Sequence, residues 1–472
     1  MIGVHKDPLA LAPELLLLLG AVLTLLTGSY LPRERQWPAR LIAALALVGS
    51  LTVAVVQAAG DDRMVYAHTY AVDGPTHTAR VLVPLAALAV LALSVERTRG
   101  DRREAEFSVL VLLGSLGSVL LAGASDLLVL AVAYLLASFP LYALAGWARD
   151  ARGAEAALKT YLLGALLGIT LLLGVTLLYG LAGATDYAGL RDALGGAPRA
   201  ALAVGVVALL AGLLFKAGAV PGHFWVPDAA AGATPPAAAF LTTVPKIGGL
   251  IALARVLLTV PDSVVDWRLL VAAVATAGMT LGNLAAFGQR DPLRLLGYST
   301  VSQAGYALMA VAVAGRENAL RALLFYLAAY ALTNVGAFAV AAALPARTTL
   351  GAYRGLGRHR PWTTAALAVC LLGLVGTPPT AVFVGKLTVF SATWDGGMAW
   401  LVVVAALNTV ASLFYYLRWL APALTPAAPV AAPVEDVRPW ASSTAVGAAA
   451  VTVALGVAAG PVLAVLPDGL LR

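Results

Sequence analysis

Apolar runs of membrane-spanning length recur along this chain from one end to the other, and nothing else constrains its fold as strongly. A helix needs about 20 apolar residues to cross a hydrocarbon core of about 30 Å. Fourteen stretches meet that requirement, near 9–29, 39–60, 80–96, 107–123, 126–147, 158–182, 200–221, 236–258, 268–288, 294–315, 319–343, 362–394, 398–422 and 443–466. The connections Gly60 to Ala79 and Ala421 to Pro439 are the longest, and neither leaves room for a soluble domain. The second is rich in Ala and Pro and reads as an extended linker. Charged residues make up 12% of the chain. An ordinary soluble domain carries about 25%. The expected class is an all-α polytopic membrane protein in contact with a lipid bilayer.

Several function classes fall away. A single cysteine, Cys370, leaves no disulfide framework, no Cys-ligated zinc and no iron–sulfur cluster. The histidines His5, His68, His77, His223 and His359 are scattered without metal-ligand spacing, so no metal and no cofactor are expected in this chain. The net charge of +7 comes mostly from arginines in short loops, which argues against a nucleic-acid partner. Gly355-Leu356-Gly357 lacks both a preceding strand and a third glycine, so it is not read as a phosphate loop. Pro13 and Glu14 interrupt the first apolar run and no A-x-A site follows, so that run is read as a retained helix rather than a signal peptide.

Orientation follows from Lys and Arg in the loops. Loops after odd-numbered spans carry 18, and the other side, termini included, carries 10. Both termini are therefore expected away from the cytoplasm. That count places Arg80 and Arg255 in non-cytoplasmic loops. Three basic residues remain, Lys216, Lys246 and Lys386, all inside spans. A lysine at the centre of a membrane helix costs about 2.5–3.5 kcal/mol on insertion scales, so three cost on the order of 8–10 kcal/mol. A lysine that fastens a kinked helix through carbonyls would explain one such residue more readily than three. Burial disfavours an ammonium relative to the neutral amine, so an amine at that depth can gain and lose a proton near neutral pH.

The backbone pattern points the same way. Gly218, Pro221 and Gly222 follow Lys216 in the seventh span, and Gly376, Pro378, Pro379 and Gly385 precede Lys386 in the twelfth. Both helices are expected to break there. Irregular backbone at membrane depth is tolerated only against protein or a water-filled cavity. Interrupted helices at matching places in two halves mark an inverted-repeat transporter. Spans 4–8 and 9–13 would be those halves. His223 falls in a segment expected to be unwound, 223–228, and its ordinary pKa near 6.5 suits proton relay, though a lone histidine at a helix end is as often a cap. Ser299, Ser302, Gln303, Tyr306, Asn334 and Asn408 could hold waters, although each alone reads as helix–helix glue. Gly164-x-x-x-Gly168 reads as close packing.

Phe215-Lys216-Ala217-Gly218-Ala219-Val220-Pro221-Gly222-His223-Phe224-Trp225-Val226-Pro227-Asp228 closely resembles the broken-helix motif of the antiporter-like subunits of respiratory complex I. Pro245-Lys246-Ile247, Arg294-Leu295-Leu296-Gly297-Tyr298-Ser299, and Gly376-Thr377-Pro378-Pro379-Thr380 through Gly385-Lys386 carry the same resemblance. Leu158-Lys159-Thr160-Tyr161-Leu162-Leu163-Gly164-Ala165 is similar to the subunit N branch of that family, related to the Mrp antiporters. The resemblance covers roughly residues 100–420.

The resemblance implies a membrane-arm subunit of an NADH-quinone oxidoreductase-like complex, with no redox chemistry of its own. It would move protons through Lys216, Lys246 and Lys386 as quinone is reduced elsewhere. His223 would be the histidine after the break, and Glu155 and Lys159 charged positions at the cytoplasmic end of span 6. The simpler reading of those two is a solvated i,i+4 pair. Two positions depart from the family pattern. Leu135 stands where the family places a glutamate that pairs with the span-7 lysine, and Gln303 stands where it often has a histidine. Three alternatives stay open: a non-pumping structural paralogue, a cation/proton antiporter, or a membrane-hydrogenase subunit of the same fold. The expected organisation is a three-helix segment (1–106), a first repeat (107–260), a second repeat (261–422), and a linker with a last helix (423–472). The expected location is a bacterial plasma membrane, among other membrane-arm subunits.

Overall fold

The computed structural model describes residues 7–426 and 438–471. The chain folds as α1 (Ala12–Tyr30), α2 (Trp37–Gln57), a hairpin of β1 (Arg63–Val65) and β2 (Tyr70–Val72), α3 (Gly74–Thr98) and α4 (Glu104–Gly123). Next come α5 (Leu127–Leu136), α6 (Phe139–Ala145), α7 (Ala151–Ala182), the short α8 (Tyr187–Ala193), α9 (Arg199–Ala217), α10 (Trp225–Gly232) and α11 (Pro235–Leu257). The remainder is α12 (Trp267–Phe287), α13 (Pro292–Ala312), α14 (Ala319–Ala343), the single turn α15 (Leu356–His359), α16 (Pro361–Val375), α17 (Ala381–Asp395), α18 (Ala399–Leu424), α19 (Pro439–Val457) and α20 (Ala459–Val465). Most of the expected linker between Ala421 and Pro439 lies outside the described residues, and α18 runs on to Leu424.

Among the described residues twelve segments are long and apolar enough to cross a membrane. The more polar α13 and the pair α16–α17 complete the fourteen expected crossings. This is a multi-pass membrane protein. Aspartates start several helices by accepting otherwise orphaned first-turn N–H groups: Asp150 from Gly153 at 2.7 Å, Asp126 from Leu128 at 2.7 Å, Asp291 from Leu293 at 2.9 Å.

Two groups of five crossings repeat one packing plan. In each the first crossing packs on the second and the fifth: α4 on α5 and α11, α12 on α13 and α18. The third packs on the fourth: α7 on α9, α14 on α16 and α17. Successive crossings alternate direction, so a repeat of five returns inverted. The breaks fall where the sequence places them. Gly218 (φ 64°) ends α9 and Gly376 (φ 93°) ends α16, both in the left-handed region that glycine enters without penalty. Each break holds a cis peptide before proline, Val220–Pro221 and Pro378–Pro379. The first unwound stretch is 218–224, earlier than expected, because α10 already begins at Trp225. The fifth crossing is also interrupted, at Ala137–Ser138, which the sequence reading missed.

The largest correction concerns two arginines. Arg80 and Arg255 are buried in α3 and α11, not placed in loops. Arg80 donates from Nε to Glu14 at 2.8 Å and from a second nitrogen to the other Glu14 oxygen at 2.9 Å, while Tyr70 donates to the same carboxylate at 2.8 Å. Arg255 grips Asp73 through two nitrogens at 2.9 and 2.8 Å. Asp73 also accepts from Thr76 and from the Leu471 N–H at 3.1 Å. Burial raises the Asp73 carboxyl, but the Arg255 charge and these donors outweigh it and hold the group below the usual carboxylate range.

A line of buried lysines

Between the two repeats, α11 is buried along its whole length and α14 along most of it. Helices so enclosed can carry polar groups that lipid would not tolerate. Lys246 lies on α11 itself, Lys216 on α9 packed against α11, and Lys386 on α17 packed against α14; they are 3%, 1% and 3% exposed. Among the described residues none of the three has a carboxylate partner.

Their partners are main-chain carbonyls and hydroxyls. Lys216, in the last turn of α9, donates to Ser138 Oγ at 2.5 Å and lies 4.5 Å from the centre of the Tyr134 ring. The interruption between α5 and α6 puts Ser138 there, and its own hydroxyl donates to the Tyr134 carbonyl at 2.6 Å. Lys246 donates to the Ala217 carbonyl at 2.5 Å and the Thr300 carbonyl at 3.2 Å. Lys386 donates to the Val375 carbonyl at 2.8 Å and stands 4.0 Å over the Tyr306 ring. Ala217 and Val375 are the last residues of α9 and α16. The last carbonyls of a helix lack intrahelical partners and carry its negative dipole end. Each break therefore turns a partial negative charge on an amine, and half-helix ends of this kind hold cations in transporters. Aromatic faces add attraction that does not depend on a formal counter-charge.

Two hydrogen-bonded rungs cross α13 and α14. Thr300 shares a hydrogen bond with Tyr330 at 2.9 Å, and Tyr330 donates to the Thr242 carbonyl at 2.9 Å. One turn further on, Gln303 donates to the Leu374 carbonyl at 2.8 Å while the Tyr326 hydroxyl donates to the Gln303 side-chain amide oxygen, Oε1. Gln303 thus touches the end of α16 itself. Asn334 donates to Thr242 and Thr243 at 3.0 and 2.9 Å, on the same core.

The other expected residues sit apart. His223 lies in the 218–224 stretch, half-buried, with its ring against Phe224 and its Nδ1 without a partner. No hydrogen bond among the described residues joins it to a lysine. Glu155 and Lys159 form the expected i,i+4 pair at 2.5 Å, but Lys159 also binds Asp228 at 2.8 Å. Asp228, in the first turn of α10, accepts from Arg294 of α13 at 2.7 Å as well. This cluster edges a cleft of about 290 Å³ lined by Arg152, Glu155, Asp228, Asp291 and Arg294. Asp228 and Arg294 stand in the motifs that carry the family resemblance, but nothing local in the sequence marks either as a site residue. Leu135 is partly buried in the apolar core one turn before Ser138.

This geometry defines a class: an inverted-repeat membrane protein with buried amines facing broken helices. The family model described as NADH:quinone oxidoreductase/Mrp antiporter, transmembrane, matches residues 124–412. The chain belongs to that family. It is 57% identical over 463 residues to NADH-quinone oxidoreductase subunit N 1 of Streptomyces griseus, covering 98% of each chain. It is 54% identical over 457 residues to NADH-quinone oxidoreductase subunit N of a Mycobacterium species, covering 96% of this chain and 97% of the relative. Among solved structures, a chain of respiratory complex I from Thermus thermophilus superimposes with a TM-score of 0.84 at 34% identity, over 97% of this chain and 100% of that one.

Proposed function

We propose that this chain is the subunit N-like, proton-translocating member of a membrane arm, in a bacterial NADH-quinone oxidoreductase that reduces quinone elsewhere. Names and fold of its relatives support the setting. The observation that carries the mechanism is that, among the described residues, no carboxylate stands beside three buried lysines whose partners are helix-end carbonyls, a backbone carbonyl of α13 and hydroxyls. A carboxylate would fix the ammonium. Dipoles stabilise it only partly, so each amine changes charge when its surroundings or a neighbouring charge change. Lys246 binds the carbonyl of Ala217, next in the chain to Lys216, and that of Thr300 on α13; one turn along α13, Gln303 binds the Leu374 carbonyl beside the Val375 acceptor of Lys386. A charge arriving at one site is therefore felt at the next.

The chain itself holds no redox group in this reading. Protons load at the Glu155–Lys159–Asp228 cleft, on the cytoplasmic face, and both termini lie on the other. His223 serves as an accessory group reached through water. The segmentation into 1–106, 107–260, 261–422 and 423–472 fits this reading, with 107–260 and 261–422 as the two working halves. The test is proton uptake per electron by the reconstituted complex, comparing wild type with Lys246→Ala. An unchanged ratio would remove the lysine mechanism.

A second reading has one observation behind it. With Leu135 in the fifth of the fourteen crossings, Lys216 has Ser138 alone as its hydrogen-bond partner among the described residues. A chain that completes the arm without pumping would tolerate that arrangement. Leu135→Glu separates the two: a raised proton ratio means the native path is a weakened conductor. If methionine at all three lysine positions changes assembly only, the scaffold reading holds.

A further inference from the structure

On the outer side of the protein, α3, α14 and α19 leave a cleft of about 260 Å³ between them. Its walls include Leu85, Ala86 and Ala89 of α3, Leu332 of α14 and Gly447 of α19. Of the lining residues only Thr444 is polar, and its hydroxyl already donates to the Trp440 carbonyl at 2.8 Å. The cleft is open to the surroundings, where Leu85 and Val451 are exposed. Leu82 to Ala89 lie in the middle of the 25-residue α3, hence near the bilayer midplane. Water finds no hydrogen-bond partners there, so the occupant is apolar. A neighbouring helix is about 10–12 Å across, and one turn of it takes up more than this volume. A thin, flexible chain fits.

The same sides of α3 and α19 end in polar groups. Glu96 and Arg97 stand about three turns, or about 16 Å, beyond Leu85 and Ala86 on one side of α3. Half of the hydrocarbon core is about 15 Å thick, so both reach the headgroup level. Glu96 Oε1 accepts the Trp440 N–H and so satisfies a first-turn donor of α19. Its other oxygen, Oε2, is shielded from solvent and has no hydrogen-bond partner among the described residues. Arg97 is exposed and has no ion-pair partner among the described residues. Trp440 stands beside them, exposed, as tryptophans do at a membrane interface. One carboxylate oxygen here lacks a donor, and a neighbouring guanidinium lacks an acceptor. An ammonium answers the first and a phosphate the second, each through a charge-assisted hydrogen bond. We propose that this is a lipid site: an ethanolamine phospholipid puts its ammonium on Glu96, its phosphate on Arg97 and one acyl chain into the α3–α14–α19 cleft. A choline headgroup has no N–H to give, and a glycerol headgroup brings no positive charge.

The test uses the assembled complex in nanodiscs. Its probes are phospholipids with a photoreactive diazirine near the end of one acyl chain and an ethanolamine, choline or glycerol headgroup. After irradiation, mass spectrometry of the peptides reads labelling at 82–89 and 444–451, the stretches of α3 and α19 that line the cleft. The ethanolamine lipid should label them at least about fivefold more than the choline lipid, the scale of one charged contact at a partly exposed site. Glu96→Gln should bring it down to the choline level. Gly447→Leu should abolish labelling of the cleft by every headgroup, because a side chain there meets open space and fills it without a clash. Equal labelling by the three headgroups, or labelling unchanged in Gly447→Leu, overturns the site. Stronger labelling by the glycerol lipid overturns the ethanolamine assignment. No labelling by any lipid in the intact complex gives the cleft to a neighbouring subunit, and the proposal fails. Should Glu96→Gln not assemble, the headgroup series and Gly447→Leu decide. None of these readouts depends on proton movement, so the proposal stands or falls apart from the lysine mechanism.

Discussion

Two regions of this protein bury basic side chains, and they treat them in opposite ways. At the face where α3 begins and α11 ends, Arg80 and Arg255 each meet a carboxylate through two nitrogens, with further donors completing Glu14 and Asp73. In the core, Lys216, Lys246 and Lys386 meet carbonyls and a hydroxyl. A guanidinium stays charged and its planar fork fits a carboxylate; an ammonium is a point charge that readily gives up its proton when buried. The first region is built to hold a charge, the second to let one change. Burial alone predicts neither role; the chemistry of the partner does.

The sharpest way to break this comparison is to remove one cation from each region. Arg255→Met leaves Asp73 ionised and buried without its partner, which costs about 3–5 kcal/mol. Thermal stability and the yield of assembled complex should both fall, and Asp73→Leu in the same chain should restore most of the loss. Lys246→Met leaves no orphaned charge. Its expected effect on stability is neutral or favourable by up to about 2.5–3.5 kcal/mol, the insertion cost of the amine, while proton translocation is lost. Equal destabilisation by the two substitutions would mean that the core lysines are structural after all. Lys386→Arg sharpens the point: it keeps the charge but cannot release it, so the complex should assemble and fail to pump.

A smaller effect is expected where Lys216 meets the Ser138 hydroxyl. Ser138→Ala removes a hydrogen bond to a charged group, worth about 1.5–3 kcal/mol, whereas Ser138→Thr keeps the hydroxyl. Reduced proton transfer in the alanine variant, with the threonine variant near wild type, is the expected pattern from flux measurements on reconstituted complex. Equal losses in both would assign Ser138 to packing at the α5–α6 interruption.

The sequence made one of these regions conspicuous and hid the other. A lysine inside an apolar run stands out, and Gly and Pro nearby announce the breaks, so all three lysines and both unwound segments were legible. Arg80 and Arg255 lie in the outer turns of α3 and α11, where a charge count by loops sweeps them up. Their carboxylates are 66 and 182 residues away, and no local pattern points to such a partner. The lysine acceptors were hidden for another reason: Ala217 and Val375 act through main-chain carbonyls, which any residue provides. His223 is near Lys216 along the chain, and the sequence does not show that no direct hydrogen bond among the described residues joins the two. The backbone turn between Gly218 and Trp225 leaves its ring against Phe224. The Asp228 cluster joins α7, α10 and α13, a contact that exists only once the broken helix has folded back.

Acid should separate the two regions most gently. The Asp73 carboxyl is held below its ordinary value by Arg255 and the Thr76 and Leu471 donors, against the opposing effect of burial. A depressed native value means that the stabilisation is complete above the unfolded-chain pKa of about 3.9 and disappears as pH falls through the lower native one. Between neutral pH and about pH 5 this pair should therefore contribute no pH dependence to stability, and below about pH 4 it should weaken progressively. Asp73→Asn, already less stable at neutral pH, should lack that part of the acid response. Melting of the solubilised complex across pH 3–6 reads the difference. A wild type whose acid response matches that of Asp73→Asn would show that Arg255 does not hold an ionised carboxylate, and the contrast between locked and switching charges would then rest on Arg80 and Glu14 alone.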